Sequence, residues 1–180
     1  MEAIILQHIK VEDPGYIKEL MIADGWKLTT IELDEGEQIP NNLSQFNAML
    51  CMGGPMDTWM EKKYPWLIEE KKKIKEFVIN LKKPFLGFCL GCQLLGEIIG
   101  GKVVKSDTSE IGMMNVDFLE EKKKDVLFST FPEHIKALQW HSYEVKNLEN
   151  NKDITLLASS PTTTFQIFKY QNHAYGIQFH

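Results

Sequence analysis

Residues 83–101, KPFLGFCLGCQLLGEIIGG, constrain the fold of this chain more than any other stretch. Pro84 to Phe88 is a short apolar run of the kind that forms a strand buried on both faces. Apolar residues then recur at helical spacing (Leu94, Leu95, Ile98), and Gly100-Gly101 ends the helix. The junction, Gly87-Phe88-Cys89-Leu90-Gly91, is a Gly-x-Cys-x-Gly sequence. It is the thiol form of the strand–turn–helix elbow that holds one reactive side chain above a sheet. The flanking glycines leave room where such a turn crowds the backbone. A helix start beside the sulfur supplies N–H groups and partial positive charge, so a lowered thiol pKa is expected. A cysteine ending an apolar strand also serves as a small buried hydrophobe. The strand before it, the helix after it and Gln93 four residues on favour the nucleophile.

The segments before the elbow alternate between strand and helix. Ala3–Leu6 reads as a buried strand, broken by Asp13-Pro14-Gly15. Tyr16–Ala23 reads as a helix with Ile17, Leu20 and Met21 on one face, ended by Gly25. Trp26–Leu33 is a second strand, residues 34–42 a loop, and Ala48–Met52 a third buried strand running into Gly53-Gly54-Pro55. A helix follows, with Tyr64, Leu67, Ile68, Ile74, Phe77, Val78 and Leu81 on one face. Strand–helix–strand repetition implies parallel strands joined by crossovers, with the ligand crevice at their carboxyl ends. Gly54 and Cys89 both follow strand ends and so belong on one edge. Beyond Gly101 come short strand candidates at 103–104, 113–119, 135–140, 154–158, 165–168 and 174–179, with 126–131 a short helix candidate. These are antiparallel additions to the sheet, within one domain over residues 1–180.

A formal charge of −5 speaks against a sequence-independent hold on nucleic acid. The lysine runs at 71–73 and 122–124 follow glutamates and read as solvated faces. Three cysteines (Cys51, Cys89, Cys92) make no disulfide framework. Cys89 and Cys92 form a C-x-x-C that fits a redox pair or half a zinc site, but no second ligand pair follows, so no metal or cofactor is expected. No basic leader or apolar run of membrane-spanning length is present, which points to the cytoplasm.

A thiol attacking an amide needs a proton shuttle and donors for the oxyanion. The donors by position are the backbone N–H of Leu90, just after the cysteine, and that of Gly54, although Gly53-Gly54-Pro55 also fits a plain turn. Five histidines are candidates for the shuttle. His8 ends the first strand and could face the crevice. His134 and His173 sit in polar turns and read as exposed. His141 lies between a strand and a polar segment, and His180 closes the apolar run 175–179.

These stretches resemble the class I glutamine amidotransferases. Residues 84–93 match P-[FL]-[LF]-G-x-C-x-G-x-Q. Met52-Gly53-Gly54-Pro55, Trp140-His141-Ser142-Tyr143 and Tyr175-Gly176-Ile177-Gln178-Phe179-His180 follow in the family's arrangement, in the manner of stand-alone proteins similar to the amidotransferase domain of GMP synthase. The resemblance implies an α/β fold with a flavodoxin-like, mostly parallel central sheet, flanking helices and antiparallel additions. It implies Cys89 as nucleophile, His180 as base, and Gly54 and Leu90 as oxyanion donors. Gln93, His141, Ser142 and Tyr143 would bind glutamine, and Glu110-Ile111-Gly112 would be structural. A synthetase partner would accept the ammonia. Relatives continue past the histidine with Pro-Glu, whose glutamate orients the imidazole, and then with a last helix. The chain stops at His180, so it reads as incomplete at its C-terminus. Tyr143 departs from the acidic or small residue expected there. Two other activities suit the same residues: a γ-glutamyl peptidase or related Cys–His hydrolase, and a non-catalytic binding module.

Overall fold

The computed structural model describes residues 1–180. Three helices and nine strands follow in the order β1 (Glu2–Gln7), α1 (Tyr16–Ala23), β2 (Lys27–Glu32), β3 (Ala48–Cys51), α2 (Trp66–Lys75), β4 (Phe85–Phe88), α3 (Leu90–Ile98), β5 (Lys102–Phe118), β6 (His134–Lys146), β7 (Ile154–Ser159), β8 (Ile167–Tyr170) and β9 (Ala174–Ile177). All nine strands form one sheet in the order β2-β1-β3-β4-β9-β8-β7-β5-β6. Strands β2, β1, β3, β4 and β9 are parallel, and the rest pair antiparallel. No helix is long and apolar enough to cross a membrane, which says nothing of a β-barrel.

The period-2 alternation of β1 explains the layering. Ile4 and Leu6 join the larger core with Leu67, Ile74, Phe77 and Val78 of the α2 region and Leu94 and Leu95 of α3. Ala3 and Ile5 face the other way, onto Leu50, Met52 and, from α1, Ile17 and Met21. Helices thus cover both faces of the parallel part, which is why its strands are nearly continuous apolar runs. Leu20, expected on the buried face of α1, is 48% exposed, because only Ile17 and Met21 reach the sheet.

Several expected boundaries differ. Strand candidates 103–104 and 113–119 are parts of one 17-residue strand, β5, with an irregular register between Lys105 and Glu110. Residues 141–143 lie inside β6, not beyond its end. Helix α2 passes into a π-turn over Glu76–Asn80. Ile68, expected on its buried face, is 44% exposed. Residues 126–131 are turns, not a helix. Asp125 Oδ1 accepts the N–H groups of Leu127 and Phe128, and Phe128 and Phe131 pack on Phe118.

The parallel register positions the site. Leu6 is level with Cys51, Cys51 with Gly87, and Gly87 with Gly176. The segments that follow these strands, carrying His8 and Glu12, Gly53-Gly54, Cys89 and His180, therefore leave the sheet along one edge.

Candidate active site

Cys89 is the residue between β4 and α3, with φ 45° and ψ −100°. A side chain in left-handed space is strained by roughly 1–3 kcal/mol, and such strain gathers at functional sites. Its neighbours permit the turn for a measurable reason. A methyl group at Gly87 would stand 2.5 Å from the Gly91 carbonyl, and one at Gly91 would collide with the Cys51 carbonyl oxygen. Both glycines are therefore required by close backbone approach. The turn is held by the Cys89 N–H donating to Ile177 O at 2.8 Å and the Gly91 N–H donating to Met52 O at 3.2 Å.

Cys89 lines a cleft of about 850 Å³ together with Glu12, Gly53, Gly54, Leu90 and His180. Gln93, Leu138, Trp140, His141, Ser142 and Tyr143 form another part of its wall. All eight residues expected at the site, Cys89, His180, Gly54, Leu90, Gln93, His141, Ser142 and Tyr143, thus border one cavity. The Gly54 N–H has no acceptor within the protein. His180 lies just past β9, held by its N–H donating to Leu138 O at 2.9 Å, with its side chain about one-quarter exposed.

One expectation about an individual group is corrected. The Cys89 thiol is not acidic: burial and then the Glu12 carboxylate push its pKa up to about 12, and the Leu90 N–H only partly offsets them. Desolvation of a sulfur that is 7% exposed outweighs the short helix start. His141 is no shuttle, because both ring nitrogens are engaged in the wall. Nδ1 lies 3.0 Å from Tyr143 O, and Nε2 lies 3.0 Å from both Gln139 Oε1 and Glu110 Oε2. Burial lowers its pKa despite the Glu110 charge.

The remaining residues fall into place by contact. Gln93 is buried, and its amide nitrogen donates to Tyr143 O at 3.1 Å and Gln178 Oε1 at 3.3 Å. Ser142 Oγ accepts from Ser109 Oγ at 2.9 Å, and the Tyr143 ring meets Trp59 edge-on at 4.6 Å. Glu110 accepts from Ser160, Thr162, Thr163 and Gln166 and is buried, the structural role expected of it. Cys92 points into the core, 3.0 Å from a methyl placed at Gly176, while Cys89 faces the cleft, so the two thiols do not share one environment. His134 is exposed as expected, whereas His173 is partly buried with Nε2 3.0 Å from Val78 O. His8 does not face the cleft; it is fully buried behind Gly53.

Glu12 is the cleft residue that sequence reading missed. Its Oε2 is buried without a hydrogen-bond partner, 3.6 Å from His180 Nδ1 and directly over Gly53. Only its place in the loop after β1, beside Asp13-Pro14-Gly15, could have flagged it. Because its charge helps hold the Cys89 thiol protonated, Glu12→Gln is expected to move the pH profile of Cys89 alkylation by iodoacetamide to lower pH. A profile that stays put contradicts this electrostatic link.

Residues 16–180 match the family description "Glutamine amidotransferase class-I". The chain is 27% identical over its full length to a glutamine amidotransferase-like protein, YfeJ, of Salmonella typhimurium, covering 75% of that protein. It is 34% identical over 110 residues to a subunit of the glutamine-hydrolysing GMP synthase of Pyrococcus abyssi, a match that spans 61% of this chain and 56% of the relative. A crystal structure of a glutamine amidotransferase from Thermotoga maritima superposes with a TM-score of 0.89 at 27% identity, covering all of this chain and 75% of that one. The fold expected from the motifs is therefore the one found, and the chain belongs to the class I glutamine amidotransferase family.

Proposed function

We propose that the protein hydrolyses the side-chain amide of L-glutamine through a γ-glutamyl thioester on Cys89. The observation that carries this reading is the strained elbow, which places Cys89 at the rim of a parallel sheet in one cleft with Gly54, Leu90 and His180. With the thiol neutral at pH 7, the proton must leave as the sulfur attacks, so His180 acts as general base in the attacking step. The Gly54 and Leu90 N–H groups receive the charge that develops on the carbonyl oxygen. The imidazolium so formed lies beside the Glu12 carboxylate, then protonates the departing ammonia. Water cleaves the thioester to glutamate and regenerates the thiol. Gln93 and the His141-Ser142-Tyr143 wall hold the amino-acid end of the substrate. The ammonia passes to a synthetase partner, a proposal supported by the GMP synthases among the relatives.

One observation favours a second reading. Trp140, on the cleft wall, is largely exposed. That offers a surface for the leaving group of a γ-glutamyl conjugate, cleaved by the same groups. The deciding experiment incubates the protein with glutamine and, separately, with γ-glutamyl peptides, and measures ammonia and released amine. Ammonia from glutamine at a higher kcat/KM supports the first reading; preference for the peptides supports the second; no turnover of any of them overturns both.

A further inference from the structure

Behind the Gly53-Gly54 turn lies a polar pair that the chemistry above does not use. His8, just past β1, and Glu70, on α2, are both fully buried. His8 Nε2 is 2.7 Å from Glu70 Oε1, and Nδ1 is 2.9 Å from the Gly53 carbonyl oxygen. The Gly53 carbonyl can only accept, so Nδ1 carries the hydrogen of that bond; with Glu70 as a carboxylate Nε2 carries one too, in the imidazolium. Burial alone would lower the His8 pKa, but the Glu70 carboxylate and the Gly53 carbonyl raise it above its ordinary value. The ring is fixed further by Trp66, stacked on it with centroids 5.5 Å apart. Cys51 Sγ donates to the same Glu70 oxygen at 3.4 Å. The three residues could pass for metal ligands. A nitrogen–oxygen separation of 2.7 Å is a hydrogen bond, however, and is shorter than the ligand spacing of about 3.3 Å that tetrahedral zinc sets.

A single peptide unit joins this pair to the cleft. The Gly53 carbonyl and the Gly54 N–H belong to the same planar trans amide and so point in opposite directions. A carbonyl drawn back toward His8 turns the Gly54 N–H away from it. With glycine on both sides, no side chain resists rotation of that amide. The rotated form would offer a carbonyl oxygen where negative charge develops. Gly54 itself packs on His8, since a methyl there would stand 2.8 Å from His8 Cβ. We propose that the buried His8–Glu70 pair is a latch that holds the Gly53–Gly54 amide with its N–H presented to the substrate oxyanion. His8 and Glu70 are then positioning residues, and the proposal rests on the reading of Gly54 as an oxyanion donor.

The test compares two double variants that both remove the buried charges. In H8N/E70Q the asparagine amide nitrogen replaces Nδ1 and keeps the bond to Gly53. In H8Q/E70Q the longer glutamine reaches residue 70 and leaves the Gly53 carbonyl free. Measured with glutamine, H8Q/E70Q is expected to lose about 10²–10³-fold in kcat with KM little changed. H8N/E70Q is expected to stay within about tenfold of the native enzyme. Crystal structures should show the Gly53 carbonyl rotated in H8Q/E70Q and unrotated in H8N/E70Q. Equal kcat in the two variants, or an unrotated carbonyl in H8Q/E70Q, overturns the latch. If the native protein turns over no amide, the oxyanion reading fails by itself, and the carbonyl direction in the two crystals still decides for or against the latch.

Discussion

Cys89→Ala is expected to abolish glutamine hydrolysis, by roughly 10⁴–10⁶-fold in kcat, while the protein stays folded. The loss follows from covalent catalysis: without the sulfur no thioester forms, and only the binding groups and oxyanion donors remain. The fold should hold because the side chain is small and faces the cleft, and because alanine adopts the left-handed turn no worse than cysteine does. Cys89→Gly separates strain from chemistry. Glycine has no Cβ to crowd the turn at φ 45°, so this variant should be more stable than Cys89→Ala by about 1 kcal/mol, yet equally inactive. Thermal unfolding of the two variants checks this; equal midpoints would remove the argument that the elbow stores strain.

The largest effect on stability is expected from Glu110→Ala. Glu110 gathers donors from Ser160, Thr162, Thr163, Gln166 and His141, and with β6 it ties β5 to the segment before β8. Truncation takes the acceptor from the buried donors among them, Thr163, Gln166 and His141, at a cost of about 3–5 kcal/mol. In a chain of this size that lowers Tm by about 10 °C. The same pair makes stability depend on pH. Burial, only partly opposed by Glu110, lowers the His141 pKa. The Glu110 pKa is lowered because its hydrogen bonds and the His141 charge outweigh the upward effect of burial. Groups with lowered folded pKa values bind fewer protons when folded, so stability is present at neutral pH. It is lost as pH falls below the ordinary histidine value of 6.5 and then below the ordinary carboxylate value of 4.5. Unfolding midpoints from pH 7.5 down to 5 should fall in the native protein and fall more steeply in Glu110→Gln, which removes the carboxylate that partly supports the His141 imidazolium. A flat profile in the native protein contradicts the assignment.

What could be read from the sequence was what short-range physics dictates. The elbow was legible because glycine spacing, an apolar strand and a helical period all lie within 19 consecutive residues. The convergence of Gly54 and Cys89 followed from parallel topology, which needs only element order. The misses have a common cause, interaction between distant segments. Nothing local shows that His8 meets Glu70 across 62 positions, or that Glu12 reaches His180. The thiol pKa was misjudged because the helix start is visible in sequence, while the burial that overrides it is not. Residues 126–131 read as a short helix, but Phe128 and Phe131 serve a cluster on Phe118. Strand β5 looked like two because its polar centre, between Lys105 and Glu110, is where the ladder slips register.

The account stands on a covalent bond between the Cys89 sulfur and a γ-glutamyl group. Mixing the protein with glutamine, quenching in acid within the first turnovers and weighing the peptide that contains Cys89 tests it directly. The expected result is a mass increase of one glutamyl group on that peptide, absent in Cys89→Ala and removed by hydroxylamine. Ammonia production without any adduct on Cys89, and retained in Cys89→Ala, would contradict the account.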